Sequence, residues 1–242
     1  MTRVEAVLLD VGGVFLLPAA ATLLPALRAA GADPDPDPGT VARAHYAGTA
    51  AMDRAGRPDW DLYRSTLASR CGVPAARLAA AAAALDAASS RLGAGLWSSV
   101  VPGSIEGLRR LADTGVALGV VSNADGTIAE LLVASKICQV GTGEGVPVTI
   151  VVDSHVVGMA KPDRRIFEIA LAELGVAPER AVHVGDTAHA DVEGALAAGV
   201  RPLHLDPYDD CPYAEGHHEH VRSLDDVVRL VAASATARPT VQ

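Results

Sequence analysis

From Pro102 onward, short β-prone apolar runs alternate with helical stretches at close intervals, and several of the runs end on a polar residue. Ala117 to Val121 ends at Ser122, Ala181 to Val184 ends at Gly185 and Asp186, and Arg201 to Leu205 reads as the last strand. Ser104 to Thr114, Arg164 to Leu174 and Asp191 to Ala198 read as helices, the latter two stopped by Gly175 and Gly199, and Val148 to Val152 as a further strand. This rhythm predicts a parallel α/β sheet with right-handed crossovers. Val4 to Leu9 is another apolar run, read as a central buried strand that delivers Asp10 to its C-terminal tip, with Gly12 and Gly13 permitting a tight turn. Open α/β sheets bind ligands at the C-terminal ends of their strands, so this edge is where chemistry is expected.

Residues 18–97 have a different character. Ala-rich stretches at Ala20 to Ala30, Thr40 to Ala55, Asp59 to Cys71 and Ala75 to Leu92 are separated by Pro, Gly and Asp breakers, including Asp33 to Gly39. Four helices with no strand between them make a helical insert. The expected architecture is therefore a Rossmann-like α/β core over residues 1–17 and 98–233, a helical cap over 18–97 and a disordered tail over 234–242.

Half of the 242 residues are hydrophobic, enough for a substantial core. No apolar run is long enough to span a membrane, and the N-terminus passes straight into a strand instead of a signal peptide, so a soluble cytoplasmic protein is expected. A formal charge of −9 without a basic patch argues against nucleic acid and anionic lipid as partners. Cys71, Cys138 and Cys211 have no CxxC spacing and read as reduced bystanders. Gly141 to Val146 lacks the Lys and Ser/Thr of a phosphate-binding loop and reads as a flexible turn. The histidines of Gly216 to His220 read as a solvated loop, with incidental metal binding as the alternative.

Four separated fragments carry the chemistry: VLLDVGG with Asp10, VVSNADG with Ser122 and Asn123, GMAKPD with Lys161, and HVGDTAHAD with Asp186 and Asp191. Three carboxylates, a hydroxyl and an ammonium suit a metal-assisted attack on a phosphoryl group, whose concentrated negative charge must be neutralised. Lys161 is notable because only one other lysine, Lys136, occurs among twenty basic residues.

In this order and around an insert of this size, the fragments resemble the motifs of the haloacid dehalogenase superfamily of hydrolases, in the subgroup with a helical cap after the first motif. The resemblance implies that Asp10 is a nucleophile forming an aspartyl-phosphate, that Ser122 and Asn123 hold the phosphoryl group, and that Lys161 offsets the charge of both. It further implies Mg²⁺ held by Asp10, the Gly12 carbonyl, Asp186 and Asp191, the last directly or through water. Position 12 is the departure, since phosphatases of this family usually carry a second Asp there as general acid and base. Glycine keeps the carbonyl and loses the acid, forfeiting help worth roughly 10²–10⁴-fold unless another side chain, such as His45 or Asp53 from the cap, supplies the proton.

The resulting expectation is a Mg²⁺-dependent phosphatase of small phosphorylated metabolites. The alternative is a catalytically silent member that keeps a phosphate-binding or regulatory role, and transfer of the phosphoryl group to a second metabolite ranks third. Metal-free dehalogenation fits poorly with Asp186 and Asp191. Phosphonate hydrolysis fits poorly with an insert that contains no lysine.

Overall fold

The computed structural model describes residues 2–31, 37–213 and 217–236. Strand β1 (Ala6–Leu9) is followed by β2 (Leu16–Pro18) and four helices, α1 (Ala20–Ala29), α2 (Pro38–Ala55), α3 (Trp60–Arg70) and α4 (Leu78–Leu92). The chain returns through β3 (Trp97–Val100), α5 (Ser104–Asp113), β4 (Ala117–Ser122), α6 (Ile128–Ala134), β5 (Cys138–Val140), β6 (Val146–Val148) and β7 (Ile150–Asp153). Helices α7 (Ser154–Val157) and α8 (Arg164–Leu174) lead to β8 (Ala181–Gly185), a π-helical turn (Ala188–Glu193) and α9 (Gly194–Ala197). Strands β9 (Arg201–Leu205) and β10 (Glu219–Val221) and helix α10 (Leu224–Thr236) close the described chain.

Six strands form one sheet in the order β10-β9-β8-β1-β4-β7, with every pair parallel. Strand β1 has two sheet neighbours on one side and three on the other, and all four of its residues are buried. A parallel strand covered on both faces reads as an unbroken apolar run, which is what Ala6 to Leu9 presents. Its side chains alternate between two cores: Val7 and Leu9 pack with Leu108, Leu111 and Val227, while Ala6 and Leu8 pack with Ile166, Phe167 and Ala170. Helices therefore cover both faces, and the polar tips of β1, β4 and β8 lie side by side at one edge.

Helices α1 to α4 pack around a separate core that includes Leu23, Leu27, Leu67 and Leu85. The chain enters and leaves this helical segment through the antiparallel pair β2 and β3, short strands that no turn signal announced. Three further features differ from the sequence reading. Arg201 to Leu205 is not the last strand, because β10 adds to the sheet edge beyond it. The helix expected over Asp191 to Ala198 begins as a π-helical turn at Ala188, where the N–H of Val192 reaches the carbonyl of Thr187 at 3.3 Å. Ser234 to Thr236 belong to α10; Ser234 is buried and its Oγ accepts from the Val4 N–H at 3.1 Å, so that part of the expected tail is ordered. Residues 237–242 lie outside the described residues. No helix among the described residues is long and apolar enough to cross a membrane.

Candidate active site

The register of the sheet brings the first and fourth fragments together. Leu9 pairs with Val184, and the Asp10 N–H donates to the Val184 carbonyl at 2.9 Å, so Asp10 and Asp186 follow adjacent strand ends. Strand β4 on the other side of β1 ends at Ser122, which is buried. Lys161, just before α8, reaches over the same edge with a buried side chain. Its Nζ lies 2.8 Å from Asp10 Oδ1 and 2.7 Å from Asp191 Oδ1.

Two glycines make this convergence possible. A Cβ on Gly13, whose φ is +67°, would sit 2.4 Å from the Asp186 carboxyl carbon, and a Cβ on Gly185 would sit 2.1 Å from that of Asp191. Neither position tolerates a side chain while those carboxylates stay in place. Gly12 differs, because a Cβ there would meet only Trp97 at 3.7 Å and Asp10 Oδ2 at 4.0 Å, ordinary contact distances. Crowding at Cβ therefore does not explain the missing acid.

Electrostatics divide the carboxylates by task. Burial, reinforced by Asp191 and Asp186, pushes Asp10 up to about 6 against the lowering pull of Lys161. Burial alone would also push Asp191 up, but Lys161 and His183 outweigh it and hold this carboxyl well below the usual carboxylate range. Both Asp191 oxygens are taken: Oδ1 faces Lys161 Nζ at 2.7 Å and His183 Nε2 at 2.9 Å, and Oδ2 accepts from the Thr187 N–H at 3.1 Å and hydroxyl at 2.6 Å. Burial would lower the Lys161 ammonium, yet Asp10 and Asp191 together hold it above its ordinary value.

One oxygen of each of Asp10, Asp186 and Asp191 lies within 4.8 Å of the others. Asp10 Oδ1 is buried against the Lys161 ammonium. An all-oxygen donor set of clustered, buried carboxylates fits a hard divalent cation such as Mg²⁺. Asp10, facing Lys161, and Asp186, whose Oδ2 faces His45 Nε2 at 2.9 Å, are less crowded by donors than Asp191, which four donors already occupy.

Asn123 lines the cleft, and its side chain also holds the Lys161 backbone. Its Nδ2 donates to the Lys161 carbonyl at 3.0 Å and its Oδ1 accepts from the Lys161 N–H at 2.8 Å, a two-bond clasp that pins the lysine loop to the end of β4. Of the two helical-segment residues considered as proton donors, Asp53 is occupied: it accepts from the N–H groups of Ala188 at 2.9 Å and His189 at 3.1 Å. His45 is buried, with Nε2 2.9 Å from Asp186 Oδ2 and Nδ1 2.8 Å from the Tyr63 hydroxyl.

Several contributors were missed from sequence: Tyr46, whose hydroxyl donates to the Gly13 carbonyl at 2.6 Å, Tyr63, Trp97, His183 and Thr187. One signal was available, since His45, Thr49 and Asp53 recur every fourth residue and so share one face of α2. Above the charged floor stands a cleft of about 680 Å³. The helical segment gives it largely apolar walls, among them Leu23, Met52, Trp60, Leu85 and Leu96.

Residues 4–199 match the haloacid dehalogenase-like hydrolases. The chain is 48% identical over 67 residues to a phosphoserine phosphatase of Thermus thermophilus, covering 28% of this chain and 27% of that protein. It is 32% identical over 130 residues to a ribulose-1,5-bisphosphate 5-phosphatase of Halopiger xanaduensis, covering 51% and 52%. These alignments thus span about a quarter to a half of the curated relatives' length. The fold is similar to that of the magnesium-bound hydrolase YfnB of Bacillus subtilis, at TM-score 0.59 and 17% identity over 95% of this chain and 99% of that one. It is also similar to that of a phosphatase of Thermococcus onnurineus, at TM-score 0.55 and 22% identity over 94% and 97%. With the match covering most of its length, this chain belongs to the haloacid dehalogenase-like hydrolases.

Proposed function

We propose that this chain is a Mg²⁺-dependent phosphatase of small phosphomonoesters, with Asp10 as nucleophile and the helical segment as a substrate-selecting cap. The observation that carries the reading is the buried cluster of Asp10, Asp186 and Asp191 on the cleft floor, one oxygen of each within 4.8 Å of the others, with Lys161 Nζ 2.8 Å from Asp10 Oδ1. The names of the phosphatases to which the chain is similar support the same reading.

An Asp10 oxygen attacks phosphorus while the ester P–O bond breaks and the alcohol oxygen departs with the bonding pair. Water then attacks the resulting aspartyl-phosphate, releasing inorganic phosphate and restoring the carboxylate. Lys161 balances the charge on Asp10 and the phosphoryl oxygens, and Asp191 holds the ammonium in position. Ser122 binds a phosphoryl oxygen, with Asn123 holding the lysine loop. When bound at Asp10, Gly12 and Asp186, Mg²⁺ supplies Lewis-acid neutralisation of the phosphate charge.

Gly12 cannot protonate the leaving oxygen, so the reaction favours leaving groups that depart well as anions. Phenyl-type phosphates, with a leaving group of pKa near 10, acyl phosphates and anomeric sugar phosphates are the preferred classes, and primary alkyl phosphates the poorer ones. The apolar walls suit an aryl or aliphatic body better than an open polyol.

The test is Mg²⁺-dependent phosphate release across a panel of phosphomonoesters graded by leaving-group pKa, with Asp10→Asn as the contamination control. Turnover that falls as the leaving-group pKa rises supports the reading. A flat profile assigns the proton to another group, such as His45. No release from any ester leaves the chain as a phosphate-binding or regulatory member of the family.

A further inference from the structure

Away from the cleft, β9 and β10 bring three histidines and a cysteine together. His204 and His220 are direct partners in the parallel register of these strands and so share a face, and His218, just before β10, lies 2.9 Å from a ring nitrogen of each. Asp206 adds Cys211, because its carboxylate accepts the N–H groups of Asp210 at 2.9 Å and Cys211 at 3.1 Å and folds the intervening loop back.

One donor atom from each of His204, Cys211, His218 and His220 lies within 4.8 Å of the other three. His218 Nε2 sits 2.9 Å from His204 Nδ1, 2.9 Å from His220 Nε2 and 3.5 Å from Cys211 Sγ. A ring nitrogen carries one proton or one lone pair, so it cannot hydrogen-bond to three such partners at once. A tetrahedral Zn²⁺ with imidazole and thiolate ligands sets edges of about 3.3 Å between nitrogens and about 3.6 Å between nitrogen and sulfur. The cluster needs shifts of only a few tenths of an ångström at these contacts to meet them.

The groups behind the cluster also suit a metal. His204 Nε2 lies 3.2 Å from the Asp186 carbonyl, which can only accept, so that nitrogen carries the proton and the neutral ring presents its Nδ1 lone pair to the cluster. His220 Nδ1 faces the Asp206 carboxylate at 3.7 Å.

We propose that His204, Cys211, His218 and His220 form a second metal site, which takes one borderline-soft divalent ion of the Zn²⁺ class and is separate from the carboxylate cluster. Three imidazoles and one thiolate select such an ion over Mg²⁺, which prefers oxygen ligands. The site staples a loop that packs on the helical segment, where Arg54 Nη2 donates to the Asp210 carbonyl at 3.2 Å and the Tyr46 and Tyr208 rings lie 5.6 Å apart. Through His204 the same ion also steadies the backbone of Asp186.

The test uses the full chain without a histidine tag, dialysed against Zn²⁺ or Co²⁺ in excess Mg²⁺. The expected result is one tightly held equivalent, a tetrahedral Co²⁺ spectrum with a thiolate-to-cobalt charge-transfer band, and a higher melting temperature with Zn²⁺. Cys211→Ser abolishes the charge-transfer band, and His218→Ala weakens Zn²⁺ binding by at least about 10²-fold. The exposed His220→Gln change serves in place of His218→Ala should that variant fold poorly. Absence of a tight equivalent, a Co²⁺ spectrum without the sulfur band, or Zn²⁺ affinity unchanged in folded variants overturns the site. Phosphatase activity is not the readout, so the result stands apart from the reading of the cleft.

Discussion

The floor and the walls of the cleft are built on different terms. The floor consists of side chains from four sequence fragments, fixed by sheet register, by glycines that admit no Cβ and by bonds such as the Asn123 clasp. The walls come from an Ala-rich helical segment with its own core, joined to the sheet by two short strands and a few polar contacts. On the proposed function, this difference leaves chemistry to the sheet edge and selectivity to the helices. Substitutions on the floor should cost turnover, whereas substitutions in the walls should change which esters are accepted and how tightly.

The largest effect tests the floor directly. Asp10→Asn should lower kcat by more than about 10³-fold on every ester, as loss of a nucleophile does elsewhere. Asp186→Ala and chelation should produce comparable losses, since Asp10, Asp186 and a phosphate otherwise repel one another in a desolvated site. Undiminished phosphate release in excess chelator would remove Mg²⁺ from the reading.

The same Asp10 change should have the opposite effect on stability. With its carboxyl raised from 3.8 to about 6, folded Asp10 resists ionisation. Metal-free wild-type protein therefore loses stability as pH rises from about 4 to 6 and stays at the lower level above, a cost of about 3 kcal/mol. Asp10→Asn removes that cost, so in chelator at pH 7 to 8 it should melt higher than wild type, with the gap closing toward pH 4. Saturating Mg²⁺ should shrink the gap, because binding restores stability to the wild type alone. Equal melting temperatures in chelator across this pH range would mean that Lys161 already compensates Asp10 in full.

The contrast between floor and walls also governs what the sequence discloses. Strand β1 was legible because burial on both faces demands an unbroken apolar run, and Asp10, Ser122, Lys161 and Asp186 were singled out because polar residues at strand ends or in the loops beyond them stand out against it. The antiparallel β2 and β3 were not legible, since three or four residues carry no period. Nor was the fate of Asp191: its neighbours Lys161 and His183 are 30 and 8 residues away, and only the tertiary fold brings them to it. The same limit hid the histidine cluster. His204 lies in β9, His220 in β10 and His218 just before it, and pairing between β9 and β10 brings them together as converging donors.

Gly12 lies on the border between the two regions, with Trp97 beside it. Gly12→Asp should raise turnover of primary alkyl phosphates relative to aryl phosphates by about 10- to 10²-fold, part of the range open to general acid catalysis. The 3.7 Å approach to Trp97 leaves room for Cβ. An equal gain on both classes would show that the new carboxylate strengthens metal binding and does not donate a proton.

The smallest effect concerns how the walls are fastened to the floor. Asp53 of α2 accepts two backbone N–H groups at the start of the π-helical turn that carries Asp191, and those bonds cross from the helical segment to the core. Burial raises its carboxyl despite these bonds, so the charge is held at some cost. Asp53→Asn keeps one acceptor oxygen but turns an NH₂ donor toward the second N–H, leaving a buried donor unpaired at about 1–2 kcal/mol. For a chain of this size that lowers the melting temperature by about 2–8 °C. Because no floor residue is altered, KM should rise several-fold while kcat changes by less than about threefold. A kcat loss as large as that of Asp186→Ala would show instead that Asp53 sets the geometry of the motif bearing Asp186 and Asp191, and that the helical segment is part of the catalytic floor.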